Sequence, residues 1–346
     1  MVSRRRWFAS FALGLLAVTG CSALPVPEPT QTTDETVTQA PSPTPSTEPA
    51  YAPEAAFQLP CDDVVYAMTD LFGIPSAPVT EHLAVQESPN WYPGPAQYMF
   101  QRAGGVVCGY DDGETRWQVT AVSGAGPILE ELAANGYDAW DESSRCGDGR
   151  CTIVARDGDI LVEAAIVDSA LTAADLDRTY ETMTALAGQA AATVKDVEIV
   201  PSAIAGAECE HLLSPDALAE LWDVPAQLES EFGGWGIPAS VYWTRDGGNA
   251  CVYLEAPGSY EGEFYLTLTT LPAGRWAAEL PVGRTAVDVD GADSAYAGED
   301  DYYENLPFVD IVVGDDWVRI SAPDRTAEDL LSVAPVVAAN MAALGS

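Results

Sequence analysis

Seven cysteines, two histidines, one lysine and 53 acidic residues are the raw material for chemistry in this chain of 346 residues. The histidines, His82 and His211, stand in no G-x-S-x-G, H-E-x-x-H, P-loop or dinucleotide-binding pattern. Nucleophile–base catalysis therefore has few partners to draw on, and Lys195 is the sole candidate for Schiff-base or lysine-base chemistry. Asp288, Asp290 and Asp293, followed by Glu299, Asp300, Asp301 and Glu304, gather hard oxygen ligands of the kind calcium takes. Their spacing is not that of an EF-hand, because the glycine is fourth and an alanine fifth, so a solvated acidic loop competes with a calcium site. Paired carboxylates suit a glycosidase too, but in so acidic a chain their proximity carries little information.

Two further sets are candidates for binding. Trp91 with Tyr92, Phe232 with Trp235, and Tyr302 with Tyr303 would serve as platforms for a glycan or peptide if exposed, and as core if not. Arg102 and Arg245 head the same phrase, Arg-x-Gly-Gly-x-x-Cys-x-Tyr, at 102–110 and 245–253. They are expected to be pinned by carboxylates, with anion binding as the functional alternative.

That phrase is the centre of a longer duplication. From Pro95 to Tyr110 and from Pro238 to Tyr253, seven of sixteen positions are identical without gaps, and Phe100 meets Trp243. Upstream, Cys61 and Cys209 open matching segments, and downstream Thr172 to Leu176 answers Thr326 to Leu330. Self-similarity in one order over this length is a tandem domain duplication, with repeats at 57–193 and 207–346 and a linker at 194–206.

Each repeat reads as α+β, an antiparallel sheet with helices packed on one face. The segments after Cys61 and Cys209 predict helices stopped by Pro75 and Pro225; in the second, Cys209, Leu212, Leu213, Ala217, Leu218, Leu221 and Trp222 form one face. Gln97–Arg102 and Val106–Tyr110 predict a hairpin around Gly104 and Gly105. A three-residue bulged loop there would put Phe100, Cys108 and Tyr110 on one face, and likewise Trp243, Cys251 and Tyr253. A third strand follows at 115–122, a short helix at 127–134 and a second hairpin over Asp157–Gly158. Thr172 caps a last helix with Leu176, Tyr180, Met183 and Leu186 or Ala187 inward. Its counterpart turns Leu330, Val333, Val337, Met341 and Leu344 inward, with a kink expected at Pro335.

The duplication also sorts the cysteines. Equivalent positions imply Cys61 with Cys108 and Cys209 with Cys251, leaving Cys146 and Cys151 to pair across a turn. Zinc would want paired C-x-x-C units or nearby histidines, and the two histidines are not at equivalent repeat positions. No cofactor is implied.

The N-terminus supplies a location. Arg4 to Arg6, the apolar run Trp7–Val18 and Val18-Thr19-Gly20-Cys21 resemble a lipoprotein signal peptide ending in a lipobox. That resemblance implies removal of residues 1–20 and lipidation of Cys21. Residues 21–56 follow as a stalk; 22–55 hold eight prolines, seven threonines and no glycine or basic residue. Such a run favours extended polyproline II and spans up to about 100 Å, a reach that fits a thick Gram-positive envelope. Removing the signal takes three of 15 basic residues and none of 53 acids, so 12 remain against 53, a net charge of −41. Binding to nucleic acid is disfavoured over the whole surface.

Lipobox, stalk, and a cysteine-led helix followed by a Gly-then-Cys strand with an aromatic two positions on resemble small disulfide-bonded surface lipoproteins of unknown function from actinobacteria. More distantly, each repeat is similar to the extracellular sensor domains of actinobacterial membrane serine/threonine kinases, which also tie a helix to a strand by a disulfide. Tyr110 and Tyr253 stand where a tryptophan is often found. The resemblance implies a lipid-anchored, non-enzymatic binding or sensing module on the outer face of the membrane, with an envelope ligand or protein partner. It carries over no binding residue. An envelope-remodelling enzyme and a calcium-stabilised structural or adhesive lipoprotein are the competing expectations.

Overall fold

Short, mostly buried runs rich in apolar residues build two antiparallel sheets, one in each repeat. The first contains β1 (Val106–Asp111), β2 (Arg116–Ser123), β3 (Arg145–Gly147), β4 (Arg150–Asp157) and β5 (Ile160–Val167), in the order β1-β2-β5-β4-β3. The second contains β6 (Gln227–Leu228), β7 (Ala250–Leu254), β8 (Phe264–Leu271), β9 (Thr285–Ala286), β10 (Ser294–Asp300), β11 (Leu306–Val313) and β12 (Asp316–Ser321), in the order β6-β7-β8-β12-β11-β10-β9. Its central run, β7-β8-β12-β11-β10, repeats the topology of the first sheet strand for strand. This computed structural model describes residues 52–87, 93–137, 143–229, 236–256, 263–300 and 305–346. Residues 1–51, which include Cys21 and the expected signal and stalk, lie outside them, as do Trp91, Tyr92, Phe232, Trp235, Asp301, Tyr302, Tyr303 and Glu304.

The long helices cover one face of each sheet. In the first repeat, Cys108, Trp117, Val119, Ile153, Val162 and Ala164 pack with Val64 and Met68 of the Cys61–Phe72 helix and Met183, Leu186 and Ala187 of the Leu176–Ala191 helix. Tyr180 points outward and is 43 % exposed, while Thr179 is buried in its place. In the second repeat, Cys251, Tyr253, Leu268, Val309, Ile311 and Val318 pack with Leu330, Val333, Val337 and Met341 of the Ala327–Leu344 helix. That helix continues through Pro335. Thr172 and Thr326 both close capping boxes, with Asp175 and Asp329.

Four sequence expectations are corrected. Gln97–Arg102 is helical: Pro95–Tyr98 forms a 3-10 turn and Met99–Arg102 an α-turn, matched by Ile237–Ala239 and the wide π-turn Ser240–Arg245. Proline opens each segment and glycine closes it; Gly104 and Gly247 adopt φ +72° and +64°, the left-handed geometry that ends a helix. The partner of β1 is β2, so there is no hairpin at Gly104–Gly105. Phe100 consequently packs with Val107 and Val122, on the opposite side of the sheet from Cys108 and Tyr110. The second repeat behaves in the same way, because Trp243 is likewise separated from Cys251 and Tyr253. Finally, the helix expected from Cys209 to Trp222 breaks into Cys209–Leu212 and Pro215–Trp222; Ser214 caps the second piece by accepting from Ala217 N–H at 3.2 Å, and Leu221 is exposed.

The second face of each sheet is covered as well, and partly by the other repeat. Ile237, Val241 and Tyr242 of the second repeat join Ile128 and Leu132 of the Ala125–Ala134 helix over Val107, Val154 and Leu161. Reciprocally, Tyr98 of the first repeat packs with Leu271, Trp276, Val312 and Trp317 of the second. The two repeats therefore exchange their pre-strand helical segments and belong to one compact unit.

Candidate functional site

The repeated arginines lie in the seam that this exchange creates. Arg102 is 2 % exposed; its Nε donates to the carbonyl oxygen of Asp246 at 3.3 Å and its Nη2 to that of Val200 at 3.2 Å. Arg245 reaches the opposite way, donating through Nη1 to the Ser123 carbonyl and through Nη2 to Ser123 Oγ at 3.2 Å and the Ala103 carbonyl at 3.4 Å. Backbone carbonyls and the Ser123 hydroxyl, rather than the expected carboxylates, accept their hydrogen bonds. A carboxylate does lie nearby: burial pushes the Asp246 carboxyl well above its ordinary range, opposed by the charges of Arg102 and Arg245. Both Asp246 oxygens, Arg102 Nη1 and Arg245 Nε are buried without a hydrogen-bond partner in the described structure. These arginines are joints between repeats.

The cysteines are bonded as Cys61–Cys108, Cys146–Cys151 and Cys209–Cys251. The first and third each tie the opening helical segment of a repeat to the strand after its glycine pair. Asp288, Asp290 and Asp293 are exposed; Asp293 accepts from Gly314 N–H at 2.7 Å, which fastens it to the β11–β12 turn. Among the described residues, no three His, Cys, Asp or Glu side chains cluster as a metal site.

A groove of about 620 Å³ opens where the repeats meet. His82, Gly94 and Tyr98 contribute from the first repeat, and Leu280, Val282, Phe308 and Arg319 from the second, with Glu81, Glu299 and Asp300 also in its lining. Arg319 is held rigidly. Its Nε and Nη2 donate to Asp310 at 2.7 and 2.8 Å, and its guanidinium lies 3.7 Å from the Phe308 ring centre. Asp310 is fully buried and also accepts from Trp317 Nε1 at 2.8 Å and Arg284 Nη1 at 3.0 Å, so this buried charge is well satisfied. Gly94 permits the first repeat to close on it, since a Cβ there would fall 2.7 Å from Arg319 Cδ. Burial lowers the His82 pKa and raises that of Tyr98; the two rings are 5.8 Å apart. In contrast to this fixed floor, the wall at Val282 is 93 % exposed and at Leu280 56 % exposed.

Sequence reasoning missed Arg319, Asp310 and His82 as site residues. Asp310 was the available signal: an acid inside Leu306–Val313, a strand otherwise apolar and buried. The arrangement offers a preformed cleft with aromatic and aliphatic walls, an acidic rim and one immobilised guanidinium. Comparison with family models, curated proteins and solved structures returns no match.

Proposed function

We propose that this protein is a non-enzymatic binding or sensing module, exported and held at the outer face of the membrane by a lipid on Cys21, whose ligand occupies the groove between its repeats. The groove carries this reading, because both repeats build it and its aromatic floor is fixed before any ligand arrives. Exposed Leu280 and Val282 suit an apolar group, and Glu81, Glu299 and Asp300 suit a positively charged edge. An envelope peptide bearing an amine has both.

The test is a thermal-shift and calorimetric screen of the full chain against amine-bearing wall peptides, with Val282→Asp as the groove variant. Peptides that raise the wild-type melting temperature and lose their effect in Val282→Asp support the reading. Shifts that survive the substitution, or no binding by any peptide, overturn it.

A further inference from the structure

We infer that the first repeat holds a second binding site, for a small organic anion, on the face of its sheet opposite the disulfide. A cavity of about 370 Å³ lies there, within the size range of small-molecule pockets. The strand register places two arginines in it. Arg116 and Arg150 both stand directly opposite Val167, so one row across the sheet reads Asp111, Arg116, Val167, Arg150. The next row on the same face is Gly109, Gln118, Ala165, Thr152. The two arginines are thus two strand spacings apart, about 10 Å between Cα atoms, within reach of a single oxyanion.

Their isolation is the telling feature. In a chain with 53 acidic residues, neither guanidinium has an ion pair or a hydrogen bond among the described residues. The adjacent acids are engaged elsewhere. Asp111 accepts from Gly113 N–H at 2.8 Å, Asp112 from Tyr110 Oη at 2.6 Å, and Asp168 from Thr115 Oγ1 and Ala170 N–H, both at 2.8 Å. Two unpaired cations on one sheet face repel each other, and an anion between them relieves that cost.

The cavity is also built. Thr80 and Gly109 exchange backbone hydrogen bonds of 2.7 and 2.8 Å, and Ala84 N–H donates to Gln118 Oε1, so the segment 78–86 stands as a fixed wall over the sheet. Val85, Ala165 and Val167 provide apolar lining. Neither arginine belongs to the duplication: the corresponding positions of the second sheet hold Phe264, opposite Leu254, and Leu306. Residues common to both repeats serve the shared fold, and this pair does not. The ligand class is a carboxylate or phosphate head on a short apolar body; polyanions are opposed by the net charge of −38.

Isothermal titration of the full chain with octanoate and with octanol tests this. Octanoate should bind below about 5 mM, with octanol weaker by roughly tenfold or more. Arg150→Gln, at an exposed position that folding does not depend on, should weaken octanoate roughly tenfold, and Arg116→Gln similarly. Val282→Asp should leave octanoate binding unchanged, which separates this site from the junction groove. Equal binding of octanol, unchanged octanoate affinity in Arg150→Gln, or no octanoate binding at about 5 mM would overturn the proposal.

Discussion

Arg102 and Asp246, 144 positions apart, meet across the seam between the repeats, the arginine Nε donating to the aspartate's own carbonyl oxygen. Arg245 makes the reciprocal reach to Ser123, so one phrase, occurring twice, locks each copy to the other. Truncating either arginine strands buried carbonyls and removes a counter-charge from Asp246. Arg102→Ala and Arg245→Ala should each cost about 3 kcal/mol in urea unfolding. A loss below about 0.5 kcal/mol, the size of an ordinary surface substitution, would show that the seam does not depend on them.

The Asp246 carboxyl makes a pH prediction with a definite sign. Its folded pKa is raised by burial above the ordinary 3.8, so the folded state binds this proton more tightly than the unfolded chain does. The associated stability is complete below about pH 3.8 and is lost as pH rises towards the folded pKa. Asp246→Asn, which cannot ionise, should therefore be the more stable protein at pH 7, with the difference vanishing as pH falls towards 4. Denaturation midpoints of both proteins across this range provide the check; a gap that widens on acidification would contradict the assignment.

Why the strands were legible and the seam was not follows from the range of the signals. The short apolar run Ile160–Val167 after a Gly-Asp turn is a local signal, and its second copy at Asp316–Ser321 corroborates it. At Gln97–Arg102 two local signals conflict: the Gly104–Gly105 pair suggests a hairpin turn, whereas Pro95 before and Gly104 after mark a helical segment. The proline–glycine signal prevailed because Gly104 must adopt a positive φ and Gly105 must pass close to the sheet, where a Cβ would lie 2.5 Å from the Ala121 carbonyl oxygen. Arg245 with Ser123, or Gly94 with Arg319, are meetings between distant parts of the chain. No periodicity encodes them.

The disulfides differ in the length of chain they close. Cys61–Cys108 and Cys209–Cys251 span 47 and 42 positions, and Cys146–Cys151 spans 5. In the chain-entropy account, removing either long-range bond by a double serine substitution should cost about 4 kcal/mol, and removing the short one about 2 kcal/mol. Peptide mapping of the unreduced protein gives the pairing and urea titration the costs. A bond between Cys61 and Cys209 would refute the arrangement.

Gly94 tests whether the groove floor depends on close approach of the repeats. Its φ is +123°, which L side chains rarely adopt, and an added Cβ would press on Arg319 Cδ at 2.7 Å and Nε at 2.9 Å. Arg319 cannot yield freely, because Asp310 grips two of its nitrogens and Phe308 lies under its guanidinium. Gly94→Ala should therefore cost about 2 kcal/mol and weaken any ligand of the junction groove. The octanoate site shares His82, Val85 and Gln97 with the groove but neither Gly94 nor Arg319. Its affinity should be unchanged in this variant. Parallel calorimetry separates the outcomes: loss at both sites would mean that the substitution disrupts the first repeat as a whole, and loss at the groove alone would place Gly94 in the groove's geometry.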